Sequence, residues 1–418
     1  MSTSTPETQN PVGAAGGKAA GLPELDVEWI DTVAALEPLY PEWQALAGRV
    51  GADIYMYPDW FAPWWVHFGT ARQPHILVAR RGGMLVGLLP FCIETIWAGP
   101  WPMRIARLAG TDPHCMVFTL PVEPADMPAL LEHALADLLG RFGCAAVSFT
   151  PVSAQADHLA ALQTMTQTSG LRVTDLPDGS HVMFPLPDSF DAFLATRLSK
   201  KRRSQFRRDL AGLEARFGMT SARSVPDAAA FAQFVAFHNQ QWQAIGYGGH
   251  FADWPNSAAF YEAVCAGSDP DHGVGLFEQL GTDGPLATQF ALISGTTAHW
   301  RLPARSLDPE ADHLSVGKVG LVLMIKTLIE AGYRRIEAGR GEYDYKLVYG
   351  GENVPVHRVV ICRPGAFAGL RLRALLAWVD LMDIGFYKIW FKRIHPRIRK
   401  ITGGASRPLW RAWIRTRL

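Results

Sequence analysis

The sequence predicts a mixed α/β fold made of two tandem units and a basic helical tail. Two stretches carry this prediction, HILVARRGGMLVGLLPFCI at 75–93 and GLFEQLGTDGPLATQFALI at 275–293. Each has an apolar strand, a Gly-containing turn and a second apolar strand, which is typical of a β-hairpin. Each is followed by a third strand, a helix and a short apolar strand. The order occurs twice, although a single larger mixed sheet would give a similar pattern.

The predicted organisation follows from this repeat. Residues 1–25 form a disordered leader, residues 26–187 a first unit, residues 188–365 a second unit and residues 366–418 a tail. The second unit is predicted to carry the active site, because the first unit has no counterpart of the charged segment GRGEYDYK, which begins at residue 339. The helices predicted at 124–143 and 315–332 end at Gly143 and Gly332, each in the position just after the helix.

Composition excludes several classes of protein. The chain has 418 residues, of which 48% are hydrophobic, and its 40 Lys and Arg nearly balance its 39 Asp and Glu, so no DNA partner is predicted. Five scattered cysteines without a CxxC pair or a His/Cys cluster indicate a reducing compartment and no metal site. The N-terminus lacks an apolar signal region, and no apolar stretch reaches the roughly 20 residues of a membrane span. We therefore expect a cytoplasmic protein.

Two regions are strongly basic. The segment LSKKRRSQFRRDLAGLEARFG, 198–218, predicts a helix that either has a solvated basic face or binds phosphates or an anionic surface. The tail, 366–418, interleaves Trp, Phe and Tyr with Lys and Arg. That composition is typical of an interfacial membrane helix and also suits RNA binding, and a structural cap on the second unit is equally compatible with it.

The predicted second-unit helix begins with HLSVGKVG. Ser315 is a residue type favoured as an N-cap, and Gly317 keeps the first turn small, so its backbone N–H groups are open to a ligand. Such N–H groups at the positive end of a helix dipole bind phosphate, and Lys318 adds charge. There is no GxxxxGK[ST], so a P-loop ATPase is not predicted.

The segment GRGEYDYKLVYG at 339–350 packs charged and aromatic side chains into one turn at the end of a strand. Its candidate site residues are Arg340, Glu342, Asp344, Tyr345 and Lys346. Either carboxylate could be a general base, the tyrosine could protonate a leaving thiolate, and the two cations could hold anionic groups or a developing oxyanion. A salt-bridged turn is the alternative.

A third feature is VAFHNQQWQAIGYGGHF, 235–251. His238 and Trp242 are four residues apart and lie on one helix face, where a His in a hydrophobic core is the alternative to a site residue. On the third strand, His299 and Arg301 point to the same face by alternation. No GxSxG is present, so a serine hydrolase is not favoured.

Taken in order, these segments resemble a known family. The basic helix at 198–218, HNQQW, FYEAV, DGPLATQFALI, LSVGKVGLVLMIKTLIEAG and GRGEYDYKLVYG are similar to the acetyltransferases associated with cellulose biosynthesis (CelD/BcsL type), within the GNAT acyltransferase superfamily. The aromatic YMYPDWFAPWWVHFG resembles that family's opening. The bacterial ceramide synthases and the Fem-like double-GNAT transferases are also similar.

The resemblance implies a tandem duplicated GNAT-like fold and acyl transfer from an acyl thioester, usually acyl-CoA as a cosubstrate with no permanently bound cofactor, to an amine. Acyl carrier protein is a further donor among relatives. The donor would meet Arg305 and the helix start at Ser315, Val316, Gly317 and Lys318. His238, Glu342, Asp344, Tyr345 and Lys346 would be catalytic, and Trp242, His299, Arg301 and Arg340 would bind substrate.

The leading functional hypothesis is an amide-forming acyltransferase of envelope lipid or exopolysaccharide biosynthesis. Its acceptor would be a lipid long-chain base or an amino sugar, and the tail would bind an anionic membrane surface, which places the protein on the inner membrane as a peripheral protein. Two hypotheses compete: a non-catalytic double-GNAT scaffold of a polysaccharide complex, and a tRNA-dependent aminoacyltransferase, whose RNA binding would be steeply salt-dependent.

Overall fold

Twelve strands form one mixed sheet in the computed structural model, which describes residues 24–402 apart from 99, 113–114, 247–248, 254 and 341–343. The strands are β1 Leu25–Ile30, β2 Gln73–Arg81, β3 Met84–Ala98, β4 Trp101–Leu108, β5 Ala146–Ser153, β6 Arg172–Pro185, β7 Thr220–Ser224, β8 Gly273–Gly281, β9 Gly284–Ser294, β10 Thr297–Arg305, β11 Arg335–Arg340 and β12 Glu352–Cys362. Both predicted hairpins are confirmed, as β2–β3 and β8–β9.

The helices lie between and around these strands. They are α1 Val33–Leu36, α2 Tyr40–Val50, α3 Pro58–Phe68, α4 Met127–Leu139, α5 Asp157–Thr168, α6 Phe190–Arg197, α7 Lys200–Phe217, α8 Ala228–Ala244, α9 His250–Asp253, α10 Ser257–Ala266, α11 Pro309–His313, α12 Val316–Glu330, α13 Asp344–Val348, α14 Ala366–Met382 and α15 His395–Thr402. Short 3-10 turns cover Glu37–Leu39 and Ile54–Met56, and a π-helical segment, Asp383–Ile394, joins α14 to α15.

A glycine just after the helix end was predicted for both α4 and α12, and the structure has it after α12 but not after α4. After α12, Gly332 has φ 83° and follows the C-cap Ala331, so it occupies the predicted position. After α4, the C-cap is Gly140, and Gly143 lies three residues further on. The prediction for Gly143 is therefore wrong, because the chain makes an extra turn before β5.

The two halves have the same element order but exchange their last strands. Strand order across the sheet is β1-β2-β3-β4-β5-β12-β6-β11-β10-β9-β8-β7. Thus β12, from the second half, pairs with β5, and β6, from the first half, pairs with β11. The predicted boundary at 187/188 falls between β6 and α6, and each predicted unit contributes the strand that extends the other unit's part of the sheet.

Apolar side chains from both sides of the sheet form separate cores. In the second half, α12 is apolar nearly all round and buries Val319, Leu321, Val322 and Met324 against β9 and β10. In the first half, α2, α3 and α4 pack an aromatic-rich core that includes Trp43, Trp60 and Trp64. These cores hold β10, β11 and the start of α12 in fixed positions relative to one another.

Helix α14 covers a different part of the sheet. Its residues Leu372, Leu375 and Val379 are buried against Ile105 of β4 and Val360 of β12. The opposite face of α14 remains apolar and exposed, with Phe367 at 73% and Leu370 at 58% exposure. Within residues 24–402, as far as they are described, no helix combines the length and apolarity that a membrane crossing requires.

Candidate functional site

The candidate site is a cavity of about 930 Å³ where β10 and β11 separate. The two strands pair in parallel over only three residues, Thr297–His299 with Arg335–Glu337. Beyond them the register shifts on both outer neighbours, between Trp300 and Leu302 against β9 and between Glu337 and Arg340 against β6. The cavity is lined by the segment 300–305, by Ala338 and Arg340, and by parts of α8, α12, α13 and the tail.

One end of the cavity is the N-terminus of α12. Ser315, Gly317 and Lys318 line it. The first N–H groups of a helix lack partners one turn back, but here the Lys318 N–H donates to the Ser315 carbonyl at 2.8 Å, so the open groups are those of Val316 and Gly317. Ser315 is the N-cap by position, but its side chain makes no capping hydrogen bond, contrary to the prediction, and its backbone is left-handed with φ 51°. Left-handed non-glycine residues cluster at functional sites, although Ala71 and Asn256, which do not line the cavity, share this conformation.

Arg305 lies across the same end. Its Nη1 donates to Asp312 Oδ1 at 2.7 Å, and its backbone N–H donates to Gln241 Oε1 at 3.0 Å. A Cβ at Gly317 would stand 3.1 Å from Arg305 Cδ, so the glycine lets the arginine lie against the helix. Together with the exposed Lys318, Arg305 makes this end, called here the cationic mouth, attractive to anions.

The opposite wall carries a buried lysine. Lys346 is 5% exposed, its Nζ donates to the Ala338 carbonyl at 2.6 Å, and the ammonium lies 5.7 Å from the centre of the Trp300 ring. Burial, and secondarily the charge of Arg301, lowers the pKa of Lys346 to about 8. A titratable group with a pKa near the working pH is suited to proton transfer.

Arg301 lines the cavity beside this lysine. Among the cavity arginines, Arg305 pairs with Asp312, and Arg340 pairs with Asp178 at 2.6 Å. Arg301 forms no ion pair with any carboxylate of the described residues, and its Nε is buried there without a hydrogen-bond acceptor. Burial raises the pKa of the nearby Tyr55 and Tyr261 phenols, and the charge of Arg301 opposes that rise.

His238 is a wall residue with both ring nitrogens engaged. Nδ1 donates to the Pro303 carbonyl at 2.9 Å, and Nε2 accepts the His250 N–H at 3.3 Å. Burial lowers its pKa to about 4, against the opposing effect of the Pro303 carbonyl. The imidazole is therefore neutral and ties α8 to β10. The neighbouring Trp242 lines the cavity as predicted, with Tyr345 on the α13 side.

Three predicted site residues have a different environment. His299 is fully buried away from the cavity, with Nε2 3.5 Å from Asp53 and its ring against Tyr55. The predicted shared face with Arg301 is wrong, because the bulge after Trp300 breaks the alternation of the strand. The Val316 side chain packs in the core, so only its backbone can face a ligand. Asp344 is exposed and does not line the cavity. The predicted base Glu342 lies outside the described residues.

Several lining residues were not predicted. Met116 comes from the first half, and a Cβ on Gly339 would overlap it, so the two chain segments touch at the cavity. Tyr387, Phe391 and Lys392 come from the π-helical segment of the tail. The sequence shows that Tyr387 and Phe391 are four residues apart and so share a helix face. It does not show that this face lines the cavity.

The basic helix α7 is partly structural. Arg203 donates to the carbonyls of Leu194, Ala195 and Leu198 at 2.9–3.0 Å, which satisfies the C-terminal end of α6. Lys200 and Lys201 are exposed. None of the described α7 side chains lines the cavity. Phosphate or RNA binding on α7 stays a prediction.

The corresponding place in the first half is occupied by a buried ion network. Arg72 contacts Asp112 at 2.8 Å and Glu94 at 3.4 Å, and Arg107 contacts the same two carboxylates at 3.1 and 3.2 Å. All four side chains are at most 6% exposed. Arg107 stands at the end of the parallel β4–β5 pair, as His299 does on β10. The loss of a site from the first unit remains a prediction.

The chain combines a tandem α/β architecture with a parallel strand pair that opens into a cavity and a helix N-terminus at that cavity. Residues 200–347 match the family model described as an acetyltransferase (GNAT) domain. The matched stretch spans the basic helix, the β8–β9 hairpin, α12 and Lys346, and the predicted mixed α/β fold is confirmed.

Similar folds occur among solved structures, of which FemX has a TM-score above 0.5. The crystal structure of FemX is 12% identical, with a TM-score of 0.56 over 79% of this chain and 96% of that chain, so the Fem-like fold is shared. The C-terminal domain of a putative lysylphosphatidylglycerol synthetase from Agrobacterium fabrum is 16% identical, with a TM-score of 0.47, over 82% of this chain and 96% of that one. No curated protein matches the chain.

Proposed function

We propose that this protein is an acyltransferase that moves an acyl group from a thioester, in the first instance acyl-CoA, to an amine. The single observation that supports this most is that the cationic mouth and the buried Lys346 line one cavity within residues 200–347, which match the GNAT family model. The mouth suits the phosphates of the donor. The apolar walls, which include Leu302, Phe391 and Met116, suit its acyl and pantetheine parts.

The proposed chemistry is direct attack. The amine nitrogen forms a bond to the thioester carbonyl carbon, and the carbon–sulfur bond then breaks. The proton that leaves the amine goes to Lys346, which is partly neutral because its pKa is lowered to about 8. Tyr345 gives a proton to the leaving thiolate and is reprotonated from solvent, and Lys346 releases the proton that it took from the amine to solvent. Holding both substrates in one cavity supplies much of the rate increase.

We further propose that the protein works at a membrane surface, in envelope lipid or exopolysaccharide biosynthesis. The exposed residues Phe367, Leu370, Leu381 and Ile384 repeat at helical spacing along α14 and the segment that follows it, opposite the buried face. Basic residues including Arg371, Arg373 and Lys388 flank this stripe. Apolar side chains flanked by Lys and Arg are typical of helices that lie in a membrane interface.

The membrane proposal is tested on anionic vesicles. Deleting 366–418 would also remove Leu372, Leu375 and Val379, which cover apolar residues of the sheet, so a loss of vesicle binding could come from a damaged fold. The double variant Phe367→Ser, Leu370→Ser removes only exposed apolar surface and should weaken vesicle binding roughly tenfold or more. The exposed, distant Val66→Ser is the control. Unchanged vesicle binding of the double variant contradicts the proposal.

The acyltransfer proposal is tested by release of free CoA. The purified chain is incubated with acetyl-, octanoyl- and palmitoyl-CoA and with a panel of long-chain bases, amino sugars and amino acids. Amine-dependent thiol release is the expected result. Release that proceeds equally without any amine would make the protein a thioesterase. No release with any CoA donor, together with turnover of acyl carrier protein or aminoacyl-tRNA, would reassign the donor.

A further inference from the structure

Arg301 places a positive charge in the catalytic cavity without an acidic partner among the described residues. The two other arginines of the lining have one each, Asp312 for Arg305 and Asp178 for Arg340. Arg301 is half-buried, and its Nε is out of contact with water. A guanidinium in such a place normally has a carboxylate or phosphate partner, because desolvating a charge is costly. Among the arginines of the lining, Arg301 is thus the one without a carboxylate partner within the part of the chain that the structure describes.

Among the described residues, the groups that feel the charge of Arg301 are neutral or positive. Burial keeps the pKa of the Tyr55 and Tyr261 phenols and of the Cys115 thiol above their ordinary values, so these groups carry no charge near neutral pH. Lys346, the other ionisable side chain close by, has the same sign as Arg301 and feels its charge. An incoming anion would relieve this repulsion.

The position along β10 separates this charge from the donor phosphates. Arg301 and Arg305 are four residues apart, which is about 13 Å on an extended strand. That length is of the same order as an extended pantetheine arm. If the donor phosphates lie at the cationic mouth, Arg301 lies at the reacting end, beside Lys346, where the acceptor must enter.

We infer that the acceptor is an amine that also carries an anionic group, a carboxylate or a phosphate, and that Arg301 binds that group. The inference rests on the proposed acyl transfer and narrows its acceptor. An uncharged amino sugar or a simple long-chain base leaves the guanidinium without an anion, whereas an amino acid, an aminoacylated lipid or a phosphorylated amine pairs with it. A planar guanidinium binds either anion through two parallel hydrogen bonds.

The test measures equilibrium binding of product analogues, so it does not depend on turnover. The probes are N-octanoylglycine, N-octanoyl-O-phosphoethanolamine and the uncharged N-octanoylethanolamine, which share the acyl chain and the amide. Trp242 and Trp300 line the cavity, so their fluorescence reports occupancy. The proteins are the full chain, Arg301→Met, Arg301→Lys and, as a matched control, Arg334→Met, whose arginine is exposed and outside the cavity lining.

The full chain and the Arg334→Met control should bind one anionic probe about tenfold or more tighter than the uncharged one. Arg301→Met should lose that preference, and Arg301→Lys should keep part of it, because a lysine retains the charge without the planar fork. Whichever of N-octanoylglycine and N-octanoyl-O-phosphoethanolamine binds more tightly shows whether the acceptor carries a carboxylate or a phosphate.

Equal binding of all three probes to the full chain would overturn the inference and leave acyl transfer standing, since an arginine that serves only the reaction's oxyanion gives no preference among products. A preference that survives in Arg301→Met would assign the anion to another residue. If no probe binds, the product site itself is absent, and the proposed function fails with the inference. A thermal melt of each variant shows whether it is folded.

Discussion

The pKa of Lys346 gives a prediction about how the rate depends on pH. If Lys346 accepts the amine proton, the rate should follow its neutral fraction. With a pKa of about 8, roughly a tenth of the molecules are neutral at pH 7, whereas an ordinary lysine would be neutral in fewer than about one in a thousand. The rate should therefore rise close to tenfold per pH unit below 8 and level off above it.

The assay needs an acceptor that does not itself titrate in this range. Aminooxyacetate meets this requirement, because its nitrogen stays neutral while its carboxylate remains available to Arg301. Single-turnover rates with octanoyl-CoA between pH 6 and 9.5 then report the protein's own groups. Lys346→Met should lower the plateau at least about a hundredfold, a usual range for loss of a general base.

Lys346→Arg separates the two roles open to this residue. Arginine cannot deprotonate in this range, so it cannot replace a base but can replace a cation that holds an oxyanion. If Lys346→Arg is as slow as Lys346→Met, the base role holds. An active Lys346→Arg, or a wild-type rate that falls as pH rises through 8, would refute the reasoning and assign the lysine to charge stabilisation.

Three further predictions concern the cavity walls and the fold. Gly317→Ala should raise the donor KM several-fold with little change in the acceptor KM, because its Cβ would press on Arg305; Gly385→Ala, whose Cβ meets nothing within 4 Å, is the control. Phe391→Ala should lower the rate of acyl transfer without loss of folding, because Phe391 forms part of the cavity wall. A rate equal to that of the wild type would show that the tail takes no part in the reaction. Lys346→Met should raise the unfolding free energy by up to about 3 kcal/mol below pH 8, because the folded wild-type protein holds a buried charge there. This gain in stability, measured by denaturant titration, should shrink between pH 8 and about 10.4. A gain that does not change with pH would contradict the lowered pKa of Lys346.

Local patterns in the sequence are enough to predict the hairpins and helix α12. The double glycine Gly82–Gly83 turns β2 into β3 with positive φ at both residues, and such turns depend only on neighbouring residues. The apolar run of α12 and the glycine after it likewise predict that helix without any knowledge of its surroundings. The charged segment after β11 indicated Arg340, Tyr345 and Lys346, and the cavity contains all three.

What the sequence does not reveal depends on distant contacts. The exchange of β6 and β12 between the halves is a choice of pairing partner, and strands of similar apolarity leave that choice open. His299 was misplaced because strict alternation fails at a bulge, whose position is set by the pairing with β9. Met116 and Phe391 reach the cavity only through folding of chain segments far from residues 300–346, so no local signal marks them.

The central claim is that amide formation takes place in the cavity between β10 and β11. The most direct measurement is the mass-resolved yield of the amide from octanoyl-CoA and glycine by the full chain, by Lys346→Met and by Lys326→Met, whose lysine is exposed on α12. We predict the amide from the full chain and from Lys326→Met, and at most about a hundredth of it from Lys346→Met. Equal amide from both lysine variants would contradict the claim and place the chemistry elsewhere in the molecule.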